Sequence, residues 1–533
     1  MFLLVGTRNK LFTTLALLAL VIGTSGLAAD RHRGQDVTAP DLEDHANYFS
    51  KSRENASPEL QKKADVLRQK TIASIKALLK KKANSKKVRR FELLLRLGEL
   101  YVERHDYLRD LELRVYDQQY KNWEQNPANK RGKEPKLDHA ASIGQMTRAA
   151  NSFRQLVTEF PKHRRTDAAL YSLGKTLARM GKATAVNYYQ QLIKSFPKSR
   201  LIPDAYLALG EYYFEKHQIP QALANYKAVL KYKKHRAYPY AVYKLGWAYY
   251  NSSPKNDAEA KKNYRKAITA FKLVVKLSDR NKDKRSNNLD LRSEAIRDLI
   301  VVWAEAEDVN SAWAYFRKIG EKDSFYTMLE RLGSIYTENG ENKKAFTVYT
   351  RLLRESPNRP NNPSIAAKLV NLYDVLSDVD NAVASLKMMQ KTYIGNGAWV
   401  VANSRDKQAV KEANETVEKN LHRYGALFHS RGQKAKNAKL MGSAATVYTY
   451  YLESYPNTKT AYEIRYYLAE ILFDFKKYET AADNYIIVSR DKDNSKYRKS
   501  AALDAVVSMN TKVEATKFPK LPPAGQVSAP IPI

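Results

Sequence analysis

Residues 205–229 read AYLALGEYYFEKHQIPQALANYKAV. Tyr206, Leu209 and Tyr213 fall on one face of a first helix, and Ala222, Tyr226 and Val229 on one face of a second. Each helix is apolar on a face that its own hairpin cannot cover, so a neighbouring hairpin must cover it. The layout recurs along most of the 533 residues, which predicts hairpins stacked in series, each touching mainly its neighbours. Gly210, Gly246 and Gly333, with Ala222, Ala345 and Ala481, predict points where two helix backbones approach closely.

Other copies fix the period. Leu329-x-x-Leu332-Gly333-x-x-Tyr336, followed by Ala345, Tyr349 and Pro357, fits a unit of about 34 residues without a gap. Val242-x-x-Leu245-Gly246-x-x-Tyr249 closes, after an insertion, with Ala267 and Phe271. An earlier copy opens at Leu94-x-x-Leu97-Gly98-x-x-Tyr101. Its second half, Ala149, Phe153 and Pro161, is displaced by an insertion that prolongs the first helix through Tyr116, Tyr120 and Trp123. Leu173-Gly174 leads to Ala185, Tyr189 and Pro197, while Ile296, Ile300 and Trp303 lead to Ala312 and Phe316, and Val370 and Tyr373 lead to Ala382 and Leu386. Ala444, Tyr448 and Pro456 match a second helix, Leu468-Ala469 with Ala481 and Tyr485 a further unit, and residues 499–514 one more helix.

This pattern of aromatic-x2-Leu-Gly-x2-Tyr, then Ala-x3-Phe or Tyr, then Pro, resembles the tetratricopeptide repeat (TPR) family. The resemblance implies an all-α fold, a right-handed TPR-like α-solenoid of about nine helical hairpins. The junctions Phe196-Pro197-Lys198-Ser199 before Ala205-Tyr206, and Tyr455-Pro456-Asn457-Thr458 before Ala461-Tyr462, resemble those of bacterial envelope TPR proteins. That group includes the YbgF-type coordinator of the Tol-Pal system and the BamD-type lipoprotein of outer-membrane assembly. The absent lipid-carrying Cys departs from the second type. The lack of a sustained heptad pattern at the N-terminus and the larger repeat number depart from the first. Large TPR proteins of gliding or secretion machines stay equally open.

Arg8 and Lys10 precede an apolar run from Leu11 to Ile22, and Gly26-Leu27-Ala28 supplies small residues before Ala29, which reads as an export signal. The expected organisation is a signal peptide over 1–28, a flexible leader over 29–57, the repeat array over 58–515 and a Pro-rich extended tail over 516–533. Cysteine is absent, which excludes a disulfide framework, thiol chemistry and a thiolate metal site. The nine histidines show no ligand spacing, and no HExxH, GxSxG or phosphate-binding glycine loop occurs. No enzyme, cofactor or metal is expected.

In the family, positions flanking the packing residues of each first helix face a concave groove. The resemblance assigns to that groove Leu207, Glu211, Phe214, Tyr240, Tyr243, Trp247 and Tyr250, an aromatic stripe for an extended or helical peptide, with repeat packing as the alternative for each. The family's carboxylate clamp needs Lys and Asn where this chain has Glu99, Glu211, Trp247, Ser334 and Glu470, so a clamp is not expected.

Charge is the second signal, at 91 Lys and Arg against 56 Asp and Glu. Lys80, Lys81, Lys82, Lys86, Lys87, Arg89 and Arg90 form an acid-free block read as a polyanion contact, and Lys231, Lys233, Lys234 and Arg236 form another. With an export signal the anions expected are lipid head groups, lipopolysaccharide, peptidoglycan or acidic proteins, and nucleic acid is disfavoured. The reading is a non-enzymatic periplasmic scaffold for proteins of a cell-envelope complex. Its rival is a cytosolic RNA-binding repeat protein, for which the charge is right and the N-terminus wrong.

Overall fold

The computed structural model describes residues 57–80, 87–127, 131–252, 257–280 and 291–515. Residues 1–56 and 516–533, which hold the expected signal, nearly all of the leader and the tail, lie outside them. All regular structure in the described residues is α-helical. These residues form two compact units that part between Asp308 and Val309. That boundary falls within the copy read from Ile296 to Phe316.

The first unit opens with α1 (Pro58–Lys80) and continues through four hairpins: α2 (Lys87–Gln125) with α3 (Ala140–Glu159), α4 (Thr166–Arg179) with α5 (Ala185–Ser195), α6 (Ile202–Glu215) with α7 (Ile219–Val229), and α8 (Ala237–Tyr250) with α9 (Asp257–Arg280). It ends with α10 (Leu291–Ala306), packed on α9 and α8. The second unit begins with α11 (Val309–Ile319) and pairs α12 (Lys322–Glu338) with α13 (Asn342–Glu355), and α14 (Asn362–Val375) with α15 (Val379–Tyr393). After the short α16 (Ala398–Ala402) come α17 (Lys407–Ala435) with α18 (Ala438–Ser454), and α19 (Lys459–Asp474) with α20 (Tyr478–Ser489), which α21 (Arg498–Ala515) covers.

The repeat glycines were expected to let two backbones approach. The structure instead seats an aromatic ring of the second helix on each of them. A methyl group at Gly174, Gly210, Gly246 or Gly333 would lie 2.7, 2.5, 2.8 or 2.6 Å from the ring of Tyr189, Tyr226, Phe271 or Tyr349, where contacting carbons need about 3.5–4.0 Å. Gly98 meets Phe153 in the same way. These five rings are buried to 3% exposure or less, so they have no room to withdraw. A sixth instance, Gly425 under Tyr448 at 2.7 Å, supplies the first helix that the sequence reading had left without a match. Its pattern is Leu421-x-x-Tyr424-Gly425-x-x-Phe428, with Tyr in place of Leu before the glycine.

Hairpin turns repeat as well. The backbone N–H of Lys182, Gln218, Glu341, Asp378 and Lys477 reaches back to the carbonyls of Leu177, Tyr213, Tyr336, Tyr373 and Leu472 at 2.7–2.9 Å, closing each first helix with a Schellman turn. The residue before each is left-handed; Gly181 and Gly340 adopt this at no steric cost, while His217, Ser377 and Lys476 do so as non-glycines.

Gly210→Ala forces a methyl group into the Tyr226 ring and is expected to cost about 1–3 kcal/mol. Gly144, in α3, has nothing within 4 Å, so Gly144→Ala is expected to stabilise by about 0.5–1 kcal/mol through helix entropy. Urea unfolding of both variants checks the opposite signs.

Candidate interaction surface

The residues assigned to a groove sit on α6 and α8, and most are already occupied. Glu211, Phe214, Tyr240, Tyr243 and Trp247 are all below 10% exposed, while Leu207 and Tyr250 are half-buried. The first five are thus packing residues of the first unit and do not line an open surface. Leu207 and Tyr250 alone of the seven are partly accessible, Tyr250 beside the rings of Trp247 and Tyr264.

A set of polar contacts links α6 to α8 and α8 to α10. Lys244 Nζ of α8 donates to Glu211 Oε2 of α6 at 2.9 Å, with both side chains below 5% exposed. The Tyr226 hydroxyl donates to the other carboxylate oxygen at 2.5 Å, and the Lys244 ammonium lies 5.2 Å from the Tyr240 ring centre. Burial, reinforced by the Glu211 carboxylate, pushes the Tyr226 and Tyr240 hydroxyls well above their usual range, so they remain donors. One helix further, the Tyr243 hydroxyl and Trp247 Nε1 both donate to Asp298 Oδ2 of α10, at 2.6 and 3.0 Å. Burial pushes the Asp298 carboxyl up to about 6 despite the two hydrogen bonds, which act the other way. In a parallel contact, Asp204 of α6 lies 3.5 Å from His235 and 3.7 Å from Arg236.

Of the five positions compared with a carboxylate clamp, three turn to the tyrosine hydroxyl of their own hairpin: Glu211 to Tyr226, Ser334 to Tyr349 at 3.3 Å, and Glu470 to Tyr485. Lys244 and Asp298 were missed by the sequence reading. Lys244 carried a signal, being the one charge in AYPYAVYKLGWAYY; Asp298 carried none, because its role depends on which helix packs beside α8.

Of the first basic block, Lys80 and Arg89 are exposed, and Lys87 begins α2. Lys81, Lys82 and Lys86 lie outside the described residues. Arg90 is no open polyanion contact: its guanidinium grips Glu159 through two bonds of 2.7 and 2.9 Å, joining the start of α2 to the end of α3. Lys231, Lys233 and Lys234 of the second block are exposed.

Lys244→Met strands the Glu211 carboxylate in the interior and is expected to cost about 3–5 kcal/mol, of which Glu211→Gln in the same chain restores a large part; urea unfolding of the two variants measures this. For Asp298, the folded carboxyl titrates near 6 and an unfolded one near 3.8. Protonation therefore favours the fold fully below the unfolded value, and this contribution is lost as pH rises through about 6. Asp298→Asn keeps an acceptor for Tyr243 and Trp247 without the charge. Its melting temperature is expected to exceed that of the native chain at neutral pH, with the gap closing in acid.

Among the described residues no helix is long and apolar enough to cross a membrane, and no cluster of three metal-ligating side chains occurs. No curated protein matches the chain. Among solved structures it is similar to a tetratricopeptide repeat protein from Parabacteroides merdae, at 12% identity over 69% of this chain and 94% of that one, with a TM-score of 0.24. It is also similar to the C-terminal part of a TPR repeat-containing protein from Cytophaga hutchinsonii, at 17% identity over 57% and 98%, TM-score 0.28. A third similarity is to the Cut9–Hcn1 hetero-tetramer of the APC/C, at 12% identity over 70% and 91%, TM-score 0.28. Residues 168–199 and 207–278 match family descriptions of the tetratricopeptide repeat, so the first unit carries repeats of the kind that bind protein partners.

Proposed function

We propose that this chain is a non-enzymatic scaffold, exported to the periplasm, that holds proteins of a cell-envelope complex. The observation that carries the reading is the run of tetratricopeptide repeats from residue 168 to 278, matched in two stretches, a fold that presents stacked helical surface to protein partners. Export rests on the sequence, where a basic start, an apolar run from Leu11 to Ile22 and small residues up to Ala28 have the form of a cleavable signal. The envelope setting rests on the proline junctions at Pro197 and Pro456. Partner contact centres on Leu207 and Tyr250, the assigned residues that the interlocked first helices leave accessible. Substituting Tyr243 or Trp247 would test the core and not the contact, since both are buried.

Mass spectrometry of the chain recovered from cells is expected to show a start near Ala29, and a photo-reactive residue at position 207 or 250 is expected to give adducts with envelope proteins. A cytosolic product with Met1 intact, or adducts confined to cytosolic proteins, would overturn the reading.

A further inference from the structure

Three loops of the first unit lead from the second helix of one hairpin into the first helix of the next: residues 160–165, 196–201 and 230–236. Each is fastened near the start of the first helix of the preceding hairpin. Arg165 Nη1 lies 2.5 Å from the Glu92 carboxylate of α2. The Ser199 hydroxyl donates to Asp167 of α4 at 2.6 Å, and His235 and Arg236 flank Asp204 of α6. Because the fastening repeats in register, the three loops line one edge of the unit, the edge at which α4, α6 and α8 begin and turn their positive dipole ends outward.

The acids on this edge are engaged by those anchors and by the Arg90–Glu159 pair. The remaining charge is all basic. Lys162 and Arg164 stand on the first loop, Lys198 and Arg200 on the second, and Lys233 and Lys234 on the third, all exposed. None of the six forms an ion pair or side-chain hydrogen bond among the described residues. Tyr232 stands beside the last pair at 36% exposure. The second basic block of the sequence is therefore one end of a longer row.

We propose that this edge docks the unit onto a membrane surface of anionic phospholipid. Helices in contact lie about 8–10 Å apart, so cations on consecutive loops are spread along a line with no cleft between them. Mobile head groups can gather beneath each cation without a fixed register. A nucleic acid strand calls for aromatic platforms on which successive bases stack; on these loops Phe160 and Phe196 pack into the core and His163 lies on the Phe91 ring, which leaves Tyr232 as the exposed aromatic. A phenol among lysines suits the head-group level, with its ring towards the acyl boundary and its hydroxyl in water. Each Lys or Arg held near such a surface strengthens binding about fivefold. This deepens the envelope reading above and rests on it, since that reading supplies the membrane.

The test is co-sedimentation of the chain, as purified from cells, with vesicles of phosphatidylcholine containing phosphatidylglycerol, with phosphatidylcholine vesicles, and with a single-stranded RNA in a parallel binding assay. The native chain is expected to bind the anionic vesicles only, with affinity falling as salt is raised. K162Q/R164Q, K198Q/R200Q and K233Q/K234Q are each expected to lose about 30-fold, and their combination about 20,000-fold, which removes measurable binding. The residues are exposed, so melting curves should not move; should the combined variant misfold, the three pairs carry the test. Absent binding to anionic vesicles at low salt, equal binding by the substituted chains, or RNA bound more tightly than vesicles would each overturn the proposal. Vesicle binding is read on purified protein and signal cleavage on cells, so failure of docking and failure of the envelope reading are separate results.

Discussion

A ring of the second helix resting on a glycine of the first sets the spacing within six hairpins of this chain. The pairs Gly98–Phe153, Gly174–Tyr189, Gly210–Tyr226, Gly246–Phe271, Gly333–Tyr349 and Gly425–Tyr448 all make this contact. Without a side chain on the first helix, the ring buries a whole face against backbone, and the helices sit at the distance a flat aromatic allows. The contact is indifferent to sequence separation. Gly174 and Tyr189 are joined by a short turn, whereas the long α2 and its following loop intervene between Gly98 and Phe153, yet the seat is the same. Closing a longer loop costs only slowly more as its length grows, so insertions enter between the helices without disturbing their pairing.

Whether the ring is Tyr or Phe then decides what its neighbours can do. A buried hydroxyl requires a partner, and Tyr226, Tyr349, Tyr448 and Tyr485 find one on Glu211, Ser334, His429 and Glu470 of their own first helices. Where the ring is Phe, the position after the glycine is released. Glu99, beside Gly98, pairs with Arg96 near the surface, and Trp247, beside Gly246, crosses to Asp298 on the next first helix. In three hairpins the hydroxyl thus draws inward the side chain at a position that the family uses for ligands, while Tyr448 takes His429 one turn further along its first helix. In α6 Glu211 is turned inward and met by Lys244 of α8, whereas in α8 Trp247 binds the next first helix.

The hairpins were legible because Leu-Gly, the following aromatic and the Ala-x3-aromatic pair are local. Tyr424-Gly425 departs from that pattern by one residue, Tyr in place of Leu, although the seat beneath Tyr448 is made in the same way. The surface was less legible, since exposure depends on register between hairpins. Glu211 reads as a groove residue by position, and nothing local says that Lys244 on the next first helix will reach it. Arg90 reads as part of a basic block, and its acid lies 69 residues away. Position within a repeat predicts which way a side chain points; what it meets there is set by the neighbouring repeat.

The same dependence on neighbours bears on the chain's net charge of +35. A generally basic composition would place Lys and Arg on equivalent loops throughout. In the second unit the loop between α13 and α14 has a single base: Asn361 donates to the Glu330 carboxylate, Asn362 to the Ser356 carbonyl and Trp399 Nε1 to the Arg359 carbonyl, while the guanidinium of Arg359 lies 4.5 Å from the Tyr326 ring centre. The loop between α18 and α19 is fastened by Tyr455 and Thr458 and has no base, and the segment between α20 and α21 mixes Asp491 and Asp493 with its cations. Unpaired bases accompany the equivalent loop in three consecutive hairpins of the first unit, where the acids are engaged in anchoring. The six bases on those loops take no part in the fastening, so that edge carries a surplus of charge which the fold itself does not use.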